Sequence, residues 1–210
     1  MEIQKIKLLS QLISTVDKVK NLEISDERKE ILRPFIGYIQ SKVDQRMDIN
    51  LNFICTHNSR RSQFSQIWAK TASDYYGIPA NCFSGGVEVT AFNERAVYSI
   101  TRSGFKVSSK GKINPHYSIF NSDDNEPINA FSKLFDDPIN TADEFAAIMT
   151  CSHADKNCPF IPGTEKRIPV RYNDPKEFDD TSLEAEKYDE RSMQIASEMF
   201  YVFSSIQTSS

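Results

Sequence analysis

The chain has 210 residues, a formal charge of −4, and 39% hydrophobic against 26% charged residues. That balance suits one packed domain with some decoration and excludes a disordered chain. Mild acidity argues against a general nucleic-acid or anionic-membrane surface, though a locally basic pocket remains compatible with it. No apolar run reaches the length of a membrane span, and the opening Met1-Glu2-Ile3-Gln4-Lys5 lacks a signal peptide's apolar core. A cytoplasmic location is therefore expected. Thiols stay reduced there, so Cys55, Cys82, Cys151 and Cys158 are candidates for chemistry more than for structural staples.

From the N-terminus, Ile3, Ile6, Leu9, Ile13, Val16 and Val19 recur at helical spacing and predict a helix over residues 2–20. Ser25-Asp26-Glu27 is a helix start, with a hydroxyl cap and acidic first turn. The stripe Leu32, Phe35, Ile36, Ile39 and Val43 continues from it, and Pro34 should kink or restart that helix. Leu51-Asn52-Phe53-Ile54 predicts a strand ending at Cys55. After a polar turn, helical spacing resumes from Ser62 to Tyr76, where Gly77 and Pro79 end it. Asn81-Cys82-Phe83-Ser84 is a second strand closed by Gly85-Gly86, residues 91–103 a helix stopped at Gly104, and Phe105-Lys106-Val107 a short strand. The polar stretch 109–141 reads as an insertion of loops or a small hairpin. Residues 144–150 predict a buried strand leading into Cys151, residues 167–172 another strand, and Leu183 to Ile206 a long closing helix. Alternating strands and helices predict an α/β fold with a parallel sheet, whose ligands bind at the C-terminal strand ends. Cys55 and Cys151 both fall at such ends.

The strongest chemistry lies in Cys55-Thr56-His57-Asn58-Ser59-Arg60-Arg61-Ser62. A loop between a strand and a helix N-terminus turns backbone amides inward, making an anion-binding nest reinforced by the helix dipole. A cysteine at its start sits in a field that favours the thiolate. Arg61 offers a planar fork to two oxygens of an oxyanion, and Ser62 a hydroxyl to the sulfur. The spacing of Cys and Arg is weak by itself; the strand before it, the helix after it and the Asn, Ser and second Arg between strengthen it.

Cys55 to Ser62 resembles the phosphate-binding loop of low-molecular-weight protein tyrosine phosphatases and of the arsenate reductases that share their fold. The stretch Cys151-Ser152-His153-Ala154-Asp155-Lys156-Asn157-Cys158-Pro159 resembles the redox segment of the thioredoxin-coupled branch. The resemblance covers roughly residues 48–108 and 142–205. It implies a four-stranded parallel sheet flanked by helices, decorated here by an N-terminal helical extension (residues 1–47) on a core domain (48–210) carrying the 109–141 insertion. It also implies roles: Cys55 as nucleophile, Arg61 as oxyanion clamp, Ser62 as supporting hydroxyl, Asn58 as the residue that keeps the loop's shape, and Thr56, His57, Ser59 and Arg60 as further oxyanion-binding positions.

By the same resemblance, Cys55 attacks arsenate, Cys151 attacks the adduct and Cys158 resolves the Cys55–Cys151 disulfide. Thioredoxin then reduces the Cys151–Cys158 disulfide, with no resident cofactor. Were Cys151 to Cys158 helical, their Cα atoms would lie about 10.5 Å apart, whereas a disulfide tolerates about 7 Å at most, so the segment must change shape. Asp174, ahead of Pro175, resembles the general acid of both branches; its plainer reading is a helix-start aspartate. A zinc site is disfavoured by the cysteine spacing and the absence of a His pair. Cys82 reads as a core residue. His57 and His153 could each ease deprotonation of a neighbouring thiol, or simply be loop residues.

The chain departs from that pattern in places. Arg60 stands where thioredoxin-coupled reductases usually have an additional loop cysteine. Gln66 stands where they often place a glutamate that helps bind a structural potassium ion; a neutral amide holds a cation less firmly, so Asn58, Ser84 and Gln66 do not predict that ion. The N-terminal helices could cap the sheet, shape a partner surface or pair two copies as a homodimer, a packed extension being the simplest reading. Three functions follow: arsenate reduction, phosphotyrosine hydrolysis through a Cys55 phosphoenzyme, and a non-catalytic oxyanion-binding or redox-sensing module. Cys151 and Cys158 favour the first, and the intact set of Cys55, Arg61, Ser62 and Asp174 argues against the third.

Overall fold

The computed structural model describes residues 6–140, 143–157 and 161–208. Its centre is a parallel sheet of four strands in the order β2-β1-β6-β7, formed by β1 (Asn50–Cys55), β2 (Asn81–Gly86), β6 (Phe145–Met149) and β7 (Thr164–Pro169). Every residue of β1 and β6 is buried, as expected of central strands covered on both faces. Helix α3 (Arg61–Tyr76) packs on β1 and β2 and against the closing helix α6 (Glu184–Ser204), while α4 (Glu94–Arg102) also meets α6. Trp68 of α3 is fully buried beside Phe105 and Phe200, and its indole N–H donates to Ser192 Oγ of α6 at 2.9 Å. Burying a side chain that large favours the fold by about 2 kcal/mol or more.

Two N-terminal helices, α1 (Ser10–Lys20) and α2 (Asp26–Gln45), complete the helical layer. The start of α1 is later than the apolar spacing predicts. Leu8 pairs with Ser122 in an antiparallel bridge and the Leu9 N–H donates to Asn121 O, so these residues join the sheet side of the molecule. Helix α2 begins at its Ser25 cap as expected but runs through Pro34 without a restart. Leu32, Phe35 and Ile39 are fully buried on either side of the proline, and that packing outweighs one missing backbone bond. Arg28 of α2 pairs with the buried Glu198 of α6, which also accepts from Tyr172 Oη at 2.8 Å.

Residues 109–141 contain the expected small hairpin and extend it. The predicted short strand at 105–107 begins β3 (Lys106–Lys110), which pairs with β4 (His116–Phe120), and β5 (Ile128–Ala130) adds a third strand, making a second, antiparallel sheet in chain order. Ile119, Ile128 and Ala130 are buried against the main core. The outer positions are polar, which masks the pattern in the sequence. The remaining short elements are α5 (Ser152–Asn157) and a 3-10 turn at Pro175–Phe178.

Candidate active site

Cys55 ends β1, and Arg61 is the first residue of α3. The loop between them is tied from outside through its carbonyls. Thr56 O accepts from Val87 N and Glu88 N, His57 O from Ser132 Oγ at 2.8 Å, Asn58 O from Gln63 Nε2 at 3.0 Å, and Ser59 O from Asn93 N. In a trans peptide the N–H points opposite to the preceding C=O. Four successive carbonyls held outward therefore turn the following amides toward the loop's interior, where an anion would sit.

The side chains close the same device. Cys55 Sγ lies 3.1 Å from Ser62 Oγ, and Asn58 Nδ2 donates to that hydroxyl at 2.8 Å. Asn58 is fully buried and adopts φ 48°, the left-handed region that Asn tolerates better than most residues. Its Oδ1 accepts from Lys133 N at 3.1 Å. Gln63, also fully buried, bridges Asn58 O and Phe131 O. Gly86 seals the back of the loop: a methyl there would lie 2.8 Å from both Asn58 N and Thr56 O. Gly86, Gln63, Ser132 and Lys133 escaped the sequence reading. The Gly85-Gly86 pair was the one visible signal, read only as a strand end.

Arg61 Nη2 pairs with Asp174 Oδ2 at 2.7 Å and Nη1 donates to Tyr172 O at 3.0 Å, which brings two predicted site residues together. Arg61 Nε is buried without a protein acceptor among the described residues. Asp174 Oδ1 accepts from Lys176 N, capping the 3-10 turn. The helix-start reading of this aspartate is thus seen, and its pairing with Arg61 places the same carboxyl beside the nucleophile loop. Arg60 turns away from the nest: its Nε donates to Tyr188 Oη at 2.9 Å, and it faces Asp174 and Asp179 at 3.8 Å. Tyr188 Oη donates to Asp179, and burial together with that carboxylate holds the phenol well above its ordinary range.

Cys151 follows β6 as Cys55 ends β1. The two strand ends are in register, Ile54 opposite Met149, and Thr150 N donates to Ile54 O at 2.8 Å. Both cysteines are buried, reduced and part of one apolar cluster with Met149 and Ala154. Thr56 Oγ1 stands between the segments, 3.5 Å from Cys151 Sγ and 3.2 Å from His153 Nδ1. Cys151 Sγ also accepts from Ala154 N at 3.4 Å. Asp155 fastens α5 to the region of β7 through Arg167 and Arg171. Burial opposes its charge, but the two guanidinium partners more than offset this and hold its carboxyl below the usual range. Cys158 lies outside the described residues.

His57 is turned outward to Glu88, 3.2 Å away, rather than onto the thiol. Cys82 is buried in the core, where desolvation pushes its thiol up to about 12. No group of three or more His, Cys, Asp or Glu side chains suited to a metal occurs among the described residues. The second sheet contributes a wall at the mouth of the loop. Lys112, Ile113 and Tyr117 line a cavity of about 520 Å³ together with His57, Ser59 and Arg60.

No protein-family model matches the chain. An arsenate reductase from Brevibacillus brevis is 32% identical over 124 residues, which span 59% of this chain and 74% of the relative. Arsenate reductase 2 from Staphylococcus epidermidis is 30% identical over 123 residues, spanning 59% and 76%. Among solved structures, a thioredoxin-dependent arsenate reductase from Corynebacterium glutamicum covers 88% of this chain and 80% of its own at 16% identity, with a TM-score of 0.38. The sequence relatives are matched over about three quarters of their length at 30% identity or more, and on that match the chain belongs to the arsenate reductase family.

Proposed function

We propose that this protein reduces arsenate to arsenite through a relay of Cys55, Cys151 and Cys158, with thioredoxin as the final reductant. The observation that carries the reading is the meeting of two thiols from adjacent parallel strands, Cys55 in an anion nest and Cys151 across Thr56 in the same apolar cluster. A binding module has no need of the second thiol, and a hydrolase has no use for it.

In the first step the Cys55 thiolate attacks As(V), and an arsenate oxygen leaves as water after protonation, with Asp174 as the proton donor. Ser62 Oγ is placed to stabilise the sulfur, while the inward amides and Arg61 neutralise the oxyanion. The Cys151 thiolate then attacks Cys55 Sγ. The S–As bond breaks with its electron pair going to arsenic, arsenite departs as As(III), and a Cys55–Cys151 disulfide remains. Attack of Cys158 on Cys151 returns Cys55 as a thiolate, and a thioredoxin dithiol reduces the last disulfide. Two thiols supply the two electrons. Such a relay requires a reducing compartment, hence the cytoplasm; among the described residues no helix is long and apolar enough to cross a membrane. Residues 1–47 serve as a helical extension of the 48–210 core. They also offer the face for a homodimer, which sedimentation would reveal.

A phosphatase reading draws support from Phe92 and Tyr117, aromatic walls of the cavity beside the loop that would suit an aryl ester. One assay separates the two. Arsenate-dependent NADPH oxidation with thioredoxin and thioredoxin reductase should proceed in the wild type and stop in Cys151→Ser and Cys158→Ser. Hydrolysis of an aryl phosphate that survives in both variants, with no arsenate turnover in the wild type, would establish the phosphatase instead.

A further inference from the structure

Thioredoxin-coupled reductases, which the chain resembles, often bind a structural potassium ion with a glutamate where this chain has Gln66, and the residues of this chain do not fit one. Gln66 Oε1 already accepts from Ser84 Oγ at 2.5 Å, and Gln66 Nε2 presents a donor, to Asn129 O at 3.3 Å. Asn58 Oδ1 is taken by Lys133 N. The two amide oxygens that would ligate a cation thus already accept protein hydrogen bonds, and position 66 carries no negative charge.

The same region holds a positive charge of its own. Lys133 is only 3% exposed, and its Nζ has no hydrogen-bond partner among the described residues. It shares a cavity of about 280 Å³ with Gln66, Asn129 and Asn140. Asn140 Oδ1 is likewise buried and unpartnered. The face of Phe131 lies 4.7 Å from Nζ, a contact that favours the ammonium. The other charges of the cavity are Lys70, already paired with Asp74, and Glu126, with Asp137 farther along the loop of Lys133. An unpaired ammonium is costly to bury, so its retention calls for a role.

That role is suggested by its connections. The backbone of Lys133 donates to Asn58 and accepts from Gly86 N at 2.8 Å. Asn58 in turn holds Ser62, which lies against Cys55. We propose that the Lys133 ammonium is a tethered cation behind the nucleophile loop, standing in for potassium, so that the order and reactivity of Cys55 do not depend on that ion. Lys133 is then a positioning residue: its main chain is bonded to Asn58, and its ammonium acts on Asn58 and Ser62 through the field of a buried charge rather than by contact.

The inference uses Cys55 as the reactive thiol, and its test is read without arsenate, so failure of the relay and failure of this proposal remain distinguishable. Alkylation of Cys55 by iodoacetamide, resolved by peptide mass spectrometry, and thermal unfolding are measured in potassium, sodium and tetramethylammonium chloride at equal ionic strength. The wild type should behave alike in all three salts. Lys133→Met should slow Cys55 alkylation roughly three- to tenfold. Gln66→Glu combined with Lys133→Met should regain the rate and unfold later in potassium than in tetramethylammonium. If Lys133→Met fails to fold, the double variant in potassium still decides the matter. A potassium-specific gain in the wild type, an unchanged rate in Lys133→Met, or no potassium preference in the double variant would each overturn the proposal.

Discussion

The nucleophile loop and the Cys151 segment leave neighbouring strands of one sheet, yet they are held in opposite ways. Between Cys55 and Ser62, four carbonyls are fixed from outside, and Asn58, Ser62 and Gln63 are fully buried. In Cys151–Asn157 the helix has a single turn and a half, Ser152 and His153 face solvent, and Asp155 supplies the main anchor through two arginines. The first is built to keep one shape around an oxyanion. The second is a helix too short to persist by itself, fastened to the rest of the fold mainly by one charge cluster with partly exposed arginines. The proposed relay needs both, because in it Cys151 reaches first Cys55 and then Cys158.

That contrast can be broken in several places. Cys55→Ser should reduce arsenate turnover at least about a thousandfold, since the thiolate forms the adduct itself; a stopped-time arsenite assay measures it. Gly86→Ala forces the loop backbone to move, because the atoms it meets are main chain. A displacement of that kind should lower kcat by about 10- to 100-fold with the fold intact, read by steady-state kinetics beside circular dichroism. Asn58→Ala leaves Ser62 and Lys133 N without their buried partner and should cost about 1–3 kcal/mol in denaturant unfolding. By contrast, Asp155→Asn should cost about 1 kcal/mol or less, its partners being partly exposed. Its mark should be faster hydrogen exchange confined to residues 151–157.

Lys133 gives a pH test of the rigid side. Burial pushes its ammonium down to about 8 from an ordinary 10.5, with Asp137 opposing the shift. The unfolded chain therefore holds the proton more tightly than the folded one. Below about pH 8 the cost of burying the charge is present in full, and stability contributed at this position rises as pH climbs from about 8 toward 10.5. Lys133→Met should lack that rise, with Lys70, Glu126 and Asp137 unchanged around the site. Equal pH slopes in the two proteins would count against the assignment.

Local patterns carried much of this in the sequence. The caps at Ser25 and Gly77, the apolar run of β1 and the charged loop after it are short-range signals, and the structure repeats them within a residue or two. What stayed hidden depends on contacts between distant segments. Residues 109–141 read as loops or a small hairpin because β3 exposes most of its side chains and β4 is only partly covered, with Ile119, Ile128 and Ala130 the fully inward positions and Val107 and Tyr117 packed at their edge. Gly86 and Lys133 matter through approach to the loop, one 28 and the other 75 positions from Asn58, which no local spacing encodes. Leu8 leaves the predicted helix for the same reason, drawn to Ser122.

The relay itself is tested most directly by a single turnover. Cys158→Ser, mixed with one equivalent of arsenate and no thioredoxin, should release one equivalent of arsenite and stop with a Cys55–Cys151 disulfide, identified by peptide mapping under non-reducing conditions. All thiols remaining free with no arsenite released would contradict the account.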